Sequence, residues 1–353
     1  MSQEPSSPVP PHGAIPGAGS GLGRRELLAW SAGLGAAWMA GKAAPAGAAE
    51  PVSKPRRRVW KAPKKYVMKK SINLWAFPYP DEMSLDDCFR LAKDAGYDGI
   101  EINFDLEGPF SAESSDDDIR RIGQSARDIG IEISGVCSFL FWPYSMSSND
   151  PKVRARGIEL ARRMIQAAAL LETDNLLVVP GAVYAPWIEN FDPVPNDVCD
   201  RRARQAVREL LPVAEQAGVS INIENIFLNG FLFSPQEMNA FVDSFQSKFV
   251  NVHFDTGNIM EYQFPEHWIP ILGKRIKNIH FKEWDKRTHE FNLHTFRTLL
   301  DGTTNWPAVI DGLDRIGYGG YLTFEYFHPF QHYPEALIYQ SSDALDWMLG
   351  RKV

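Results

Sequence analysis

Eight strand-like runs, each followed by an amphipathic stretch, constrain this chain more than any other feature. They read SINLWAF (71–77), GIEINF (99–104), IEISGVCSFLF (131–141), NLLVVPG (175–181), VSINIENI (219–226), FVNVHFD (249–255), RIKNIHFK (275–282) and GYLTFEYF (320–327). Parallel strands need a crossover between them, and such an alternation over about 280 residues fits one closed barrel. Cap chemistry agrees. Ser84 can cap SLDDCFRLAKDAG, which Gly96 can terminate, and Asp150-Pro151 opens a helix running to Leu171. Ser234 and Glu237 fit the S-x-x-E capping box. The segments AGYDG, IGIE, AGVS and IGYGG repeat one pattern, a glycine ending a helix just before a strand. An open doubly wound sheet competes, but no G-x-G-x-x-G follows a strand. The fold class is therefore α/β, a (β/α)8 TIM barrel over residues 71–353.

The segment before the barrel has a different character. Residues 1–20 are rich in Pro, Gly and Ser and read as disordered. Arg24-Arg25 then precede an apolar stretch, Leu27 to Ala40, and a small-residue patch with Ala46-Gly47-Ala48. The stretch is shorter than the roughly 20 residues of a membrane span. Charged, apolar and small-residue regions in that order make residues 1–49 a signal peptide. The paired arginines with Leu27-Leu28 resemble a twin-arginine export signal, which implies an exported, periplasmic or extracytoplasmic protein with no stable span in its mature form. An uncleaved anchor is the alternative. Residues 50–70 hold nine Lys/Arg and read as a solvated basic linker. Residues 71–353 carry 25 basic and 41 acidic residues. That balance excludes nucleic acid as a partner, because phosphate binding needs a basic surface. Three cysteines without a CxxC pair offer neither a disulfide framework nor a zinc ribbon.

Catalytic residues of such a barrel lie at the C-terminal ends of its strands. Strands five to eight end with Glu224, Asp255, His280 and Glu325, separated by 31, 25 and 45 residues. A lone carboxylate in a buried strand is costly unless it is paired or binds something. Three carboxylates and one imidazole on successive strands form a ligand set for one divalent metal ion. Mn2+ suits it first, with Mg2+, Co2+ or Zn2+ as alternatives.

The Glu–Asp–His–Glu order resembles the sugar phosphate isomerase/epimerase family, the xylose isomerase-like barrels, over roughly residues 71–349. Its members include ketose 3-epimerases, hydroxypyruvate isomerases, inosose dehydratases and metal-dependent apurinic endonucleases. The resemblance implies that Glu224, Asp255, His280 and Glu325 bind the cation. It implies also that Glu224 and Glu325 act as acid and base on opposite faces of a sugar. The family often has D-x-x-H on strand six; here the residues are Asp255-Thr256-Gly257-Asn258. Asn258 can hydrogen-bond a hydroxyl but cannot shuttle a proton. Of the basic residues after strand seven, Lys282, Lys286 and Arg287, alternation turns Lys282 the same way as His280. Asn258 and Lys282 are therefore expected to bind substrate. Glu101, ending strand two, is expected to face the pocket, or else to pair with a buried base. Trp142 and Trp187, after strands three and four, are expected to form an aromatic wall against a sugar. His328 and His332 read as surface residues.

Two positions before the four ligands stand Asn222, His253, Asn278 and Thr323, all polar where such layers are ordinarily bulky and apolar. They are expected to orient the ligands from below. The functional expectation is a divalent-metal-dependent sugar isomerase or epimerase abstracting a proton beside a metal-bound carbonyl. The substrate is a small carbohydrate or polyol, and export favours an unphosphorylated one. A lyase or dehydratase acting on a keto-sugar, keto-glycoside or cyclitol is the alternative. A non-catalytic sugar-binding protein is a lesser one. The export machinery is an expected partner, and a homo-oligomer stays open.

Overall fold

The computed structural model describes residues 64–227, 229–290 and 292–352. The signal-peptide reading and most of the basic linker lie outside them. The strands are β1 (Lys69–Asn73), β2 (Gly99–Asn103), β3 (Glu132–Cys137), β4 (Asn175–Val178), β5 (Ser220–Glu224), β6 (Val250–Asp255), β7 (Ile276–Phe281), β8 (Glu283–Trp284), β9 (Phe296–Arg297) and β10 (Tyr321–Phe324). Eight of them close a parallel barrel in the order β1-β10-β7-β6-β5-β4-β3-β2, while β8 and β9 form a separate antiparallel pair. The helices between and after them are α1 (Leu85–Asp94), α2 (Asp116–Ile129), α3 (Pro151–Leu170), α4 (Asn196–Ala217), α5 (Pro235–Asp243), α6 (Pro265–Leu272), α7 (Trp306–Arg315) and α8 (Pro334–Met348). The (β/α)8 expectation holds. The β8–β9 pair lies in the long connection between β7 and α7, outside the eight strand-like runs of the sequence.

Local chemistry starts and stops the helices as the sequence implies. Ser84 Oγ accepts the Asp87 N–H at 3.2 Å, and Asp150 Oδ1 accepts the Lys152 N–H at 2.7 Å. Ser234 Oγ accepts the Glu237 N–H, and the Glu237 carboxylate reaches back to the Phe233 N–H. Gly130 and Gly218 end α2 and α4 with φ of 84° and 71°, a conformation a Cβ would strain. The sequence assigns Lys69 and Lys70 to the linker; the structure places both in β1. Lys70 is buried because α8 supplies partners. Its ammonium pairs with Asp346 at 2.7 Å and donates to Ser342 Oγ at 2.8 Å.

Alternation along the strands divides the core in two. Ile72, Ile100, Ile102, Val136, Ile221, Ile223, Val252, Phe254, Ile279, Phe281, Leu322 and Phe324 are fully buried and form the apolar layer under the helices. The intervening residues point into the barrel. Ser71, Asn73, Glu101, Ser134, Asn175, Asn222, Glu224, His253, Asp255, Asn278, His280 and Thr323 are all buried and all polar. Stability must therefore come mostly from the strand–helix layer, leaving the barrel interior free for charged chemistry. Among the described residues, no helix is long and apolar enough to cross a membrane.

Register sets the heights of the functional residues. Asp255 lies directly opposite His280, Glu224 opposite His253, and Thr323 opposite His280. Glu325 stands just past the end of β10, its N–H directed at the Phe281 carbonyl. The four ligand residues do not all stand at one height: Asp255 and His280 share a level, while the barrel's stagger sets Glu325 above His280. That stagger brings Glu325 level with Lys282.

Candidate metal centre

Glu224, Asp255, His280 and Glu325 converge at the C-terminal mouth of the barrel. Their exposures are 8%, 0%, 0% and 2%. From His280 Nδ1 the nearest carboxylate oxygens lie at 3.3 Å (Glu325), 3.6 Å (Glu224) and 3.9 Å (Asp255). Nδ1 itself has no hydrogen-bond partner. The other ring nitrogen, Nε2, lies 2.6 Å from Glu101 Oε2, which also accepts from Asn73 Nδ2 at 2.7 Å. A carboxylate at Nε2 keeps a proton there, so Nδ1 is the nitrogen that faces the three carboxylates, and it can offer its lone pair to a metal ion that displaces its own proton. Buried acceptors that face one another need a cation between them. The chemistry of the donor set therefore fits a divalent ion, and Glu224, Asp255 and His280 have ligand atoms within 4.8 Å of one another.

Glu101 does not face a substrate pocket. It is fully buried, with one oxygen committed to His280 and Asn73. The pairing with a buried base, the other reading of its position, is what the barrel builds. Asn258 and Lys282 are likewise turned to the protein. Asn258 Oδ1 accepts from the Lys282 ammonium at 3.0 Å, and its Nδ2 donates to the Asn225 carbonyl at 3.1 Å and to Glu224 Oε1 at 3.4 Å. Lys282 is 2% exposed and pairs with Asp255 Oδ2 at 2.8 Å and with Glu325. The sequence shows both residues on the correct face but not that they bind each other. The polar pair D-x-x-N and H-x-K is the signal that could have suggested it.

The lower polar layer departs from expectation. Asn222 bonds Ser220 and Asn175 rather than Glu224. His253 meets His280 edge-on with ring centroids 4.1 Å apart, and neither of its nitrogens has a hydrogen-bond partner. The polar atoms of Asn278 and Thr323 Oγ1 also lack partners. None of the four holds a ligand by a hydrogen bond; His253 supports His280 by packing alone. Alternation predicts the direction of these side chains, whereas their partners depend on barrel shear.

Charges separate the two glutamates. Burial pushes Glu224 up to about 7, and the Asp255 and Glu325 charges add to this against His280. Burial also disfavours ionisation of Glu325, but His280 and Lys282 outweigh it and hold the group down at about 2. Burial raises Asp255 too, with Lys282 opposing. Burial opposes protonation of His280, yet Glu325 and Glu101 carry it well above the usual imidazole range. Cys137 is a buried free thiol beside Asn73 and Asn103.

Aromatic rings edge the mouth. Trp142 and the half-exposed Trp187 meet edge-to-face at 4.8 Å, and Trp187 leads to Phe227 at 6.1 Å. Phe296, carried by β9, lies 5.9 Å from Phe227. The two tryptophans are thus together on the rim. Phe296 was not legible as a site residue, because the β8–β9 pair carries no long apolar run. His332 is exposed, whereas His328 is half-buried and stacks on His294 at 5.6 Å.

Known proteins bear on this geometry. The family model for the xylose isomerase-like TIM barrel matches residues 89–348. An uncharacterized protein of Methanocaldococcus jannaschii, MJ1311, is 24% identical over 198 residues, 55% of this chain and 64% of its own length. The chain thus spans less than two thirds of that relative. The L-ribulose 3-epimerase of Mesorhizobium japonicum is 26% identical over 250 residues, 70% of this chain and 76% of its own. A solved structure of an L-ribulose 3-epimerase superposes with a TM-score of 0.66 at 21% identity, covering 80% of this chain and 96% of that one. The chain belongs to the xylose isomerase-like TIM barrel family.

Proposed function

We propose that this protein is a divalent-metal-dependent sugar isomerase or epimerase. The observation that carries the reading is His280 Nδ1, unpartnered and facing Glu224, Asp255 and Glu325 within 3.9 Å. These four residues would hold the ion, Mn2+ first among the candidates, and when bound it supplies polarisation of a substrate carbonyl. Sugar epimerases among the relatives support the class of substrate.

The chain's own groups supply the proton chemistry. Glu325, held ionised by Lys282 and His280, removes the proton from the carbon beside the carbonyl. Glu224, whose burial favours its protonated form, returns one from the other face. Glu101 and Asn73 keep the His280 ring oriented. Trp142 and Trp187 pack against the apolar face of the sugar. A second reading, elimination from a keto-sugar or keto-glycoside, draws on Asn258, which cannot donate a proton as a histidine would.

We infer also that residues 1–49 direct export by the twin-arginine route, with the basic segment from residue 50 up to β1 as a linker and an unphosphorylated substrate outside the cytoplasm. Replacing Arg24-Arg25 with lysines and fractionating cells tests this; an unchanged distribution overturns it. For the activity, the purified protein is assayed for bound metal and then screened with keto-sugars and 3-keto-glycosides in deuterated water. Deuterium uptake with an intact carbon skeleton supports epimerisation, and loss of water or an aglycone supports elimination. Absence of bound metal together with no activation by Mn2+ or Co2+ defeats the reading.

A further inference from the structure

Every residue of the Asp255-Thr256-Gly257-Asn258 turn touches Lys282. The lysine stem lies over Gly257, where an added Cβ would come within 2.9 Å of Lys282 Cβ and Cγ. Thr256 Oγ1 accepts the Lys282 N–H at 2.9 Å and lies 3.0 Å from its carbonyl. Asn258 Oδ1 and Asp255 Oδ2 flank the ammonium at 3.0 Å and 2.8 Å, and Glu325 closes the far side. The turn is thus a cradle for one buried cation.

Asp255 has only one oxygen left to give. Its Oδ1 accepts the Gly257 and Asn258 N–H groups at 2.7 Å and 2.8 Å. The ammonium lies on the other, which is also the oxygen nearest His280 Nδ1. A metal ion held by Asp255 and Glu325 must take these oxygens from the ammonium or share them with it. Nearby, the ring centroids of Phe327, Phe296 and Phe227 lie 4.8 Å, 4.9 Å and 5.6 Å from Lys282 Nζ. Aromatic faces attract a cation at such distances, so these rings already steady the ammonium where it lies and would still attract it after a small shift off the carboxylates.

We propose that Lys282 is a built-in counter-cation of the metal centre: its ammonium holds the Asp255–Glu325 edge and yields that edge to a divalent ion. The proposal rests on the metal-site reading given above. It predicts a sign. Two positive charges a few ångströms apart in a buried site repel strongly, so the ammonium weakens metal binding while it offsets repulsion among the carboxylates. A lysine that merely braced Asp255 and Glu325 for the metal would strengthen binding instead.

The test is calorimetric titration of Mn2+ into the metal-stripped full-length protein and its Lys282→Met variant, with thermal unfolding of both. The variant is expected to bind Mn2+ at least roughly tenfold more tightly. Without metal it should melt below the parent, and Mn2+ should restore it. Equal or weaker binding by the folded variant overturns the proposal while leaving the metal site intact. If the parent binds none of Mn2+, Mg2+, Co2+ or Zn2+, the metal-site reading fails and this proposal falls with it. Lys282→Gln, neutral but able to donate to Asn258, is judged by the same dissociation constant should Lys282→Met not fold.

Discussion

Glu101 on β2 reaches across the barrel mouth to His280 on β7, Oε2 to Nε2 at 2.6 Å, with both side chains fully buried. This contact decides which imidazole nitrogen is left for a metal. Partners of this kind beneath a metal-binding histidine are worth about 10–100-fold in affinity. Glu101→Gln keeps the shape but removes the charge. We expect Mn2+ affinity to fall by roughly tenfold with the fold preserved. Calorimetry and circular dichroism check both parts, and unaltered affinity would mean that Glu101 serves only packing.

The pH dependence of the metal-free protein follows from raised pKa values. Glu224 stands at about 7 against an ordinary 4.5, so its folded form favours the proton. A group raised in this way contributes stability below its unfolded pKa and loses it as pH rises through the folded value. His280 and Asp255 are shifted in the same direction. Glu325 is lowered, and its contribution disappears only as pH falls from 4.5 toward about 2. The melting temperature of the stripped protein should therefore decline between about pH 5 and pH 8. Divalent metal, which must displace protons from Glu224 and His280, should bind more tightly as pH rises over the same interval. Melting curves across a buffer series with and without Mn2+ provide the check.

Much of the barrel is legible in the sequence because its signals are local. Ser84, Asp150 and Ser234 cap their own helices, and residues 219–226 or 249–255 alternate within one strand. Glu224, Asp255, His280 and Glu325 are visible because ligand-type residues recur at strand ends. What is not legible depends on stagger between strands. Glu325 lies level with Lys282 rather than with His280, and Glu101 reaches a histidine 179 positions away. Neither relation leaves a periodic trace. The β8–β9 pair is hidden for another reason: each strand has two residues, and a buried glutamate rather than an apolar run holds it in place.

That glutamate is Glu283. Its two oxygens accept the backbone N–H groups of Trp284, Leu300 and Thr304 at 3.0–3.1 Å and the Trp306 indole N–H at 2.5 Å. Four donors suit a carboxylate and leave no room for an amide's own hydrogens. Glu283→Gln turns two of these contacts donor-to-donor, so we expect a loss of about 2–3 kcal/mol. The β8–β9 pair carries Phe296, whose ring centroid lies 4.9 Å from Lys282 Nζ. Denaturant melts measure the effect, and hydrogen exchange at residues 283–304 reports whether the loss is local.

Thr323 tests whether the lower polar layer serves the metal. It lies opposite His280 in register and is fully buried, and its hydroxyl has no hydrogen-bond partner. If the layer orients the ligands, Thr323→Val should weaken metal binding. The observed contacts argue otherwise, because no hydrogen bond joins Thr323 to any of the four ligands. Removing an unpartnered buried hydroxyl without changing the branch shape should stabilise the protein by about 1 kcal/mol and leave the Mn2+ dissociation constant unchanged. Asn278→Leu should likewise spare metal affinity, since neither amide atom is bonded to a ligand. His253→Leu should differ from both: its ring packs edge-on against His280 at 4.1 Å, so its loss frees the imidazole to tilt and weakens metal binding severalfold. If all three variants weakened binding alike, the layer would act as one unit on the metal centre and the packing account of His253 would be wrong.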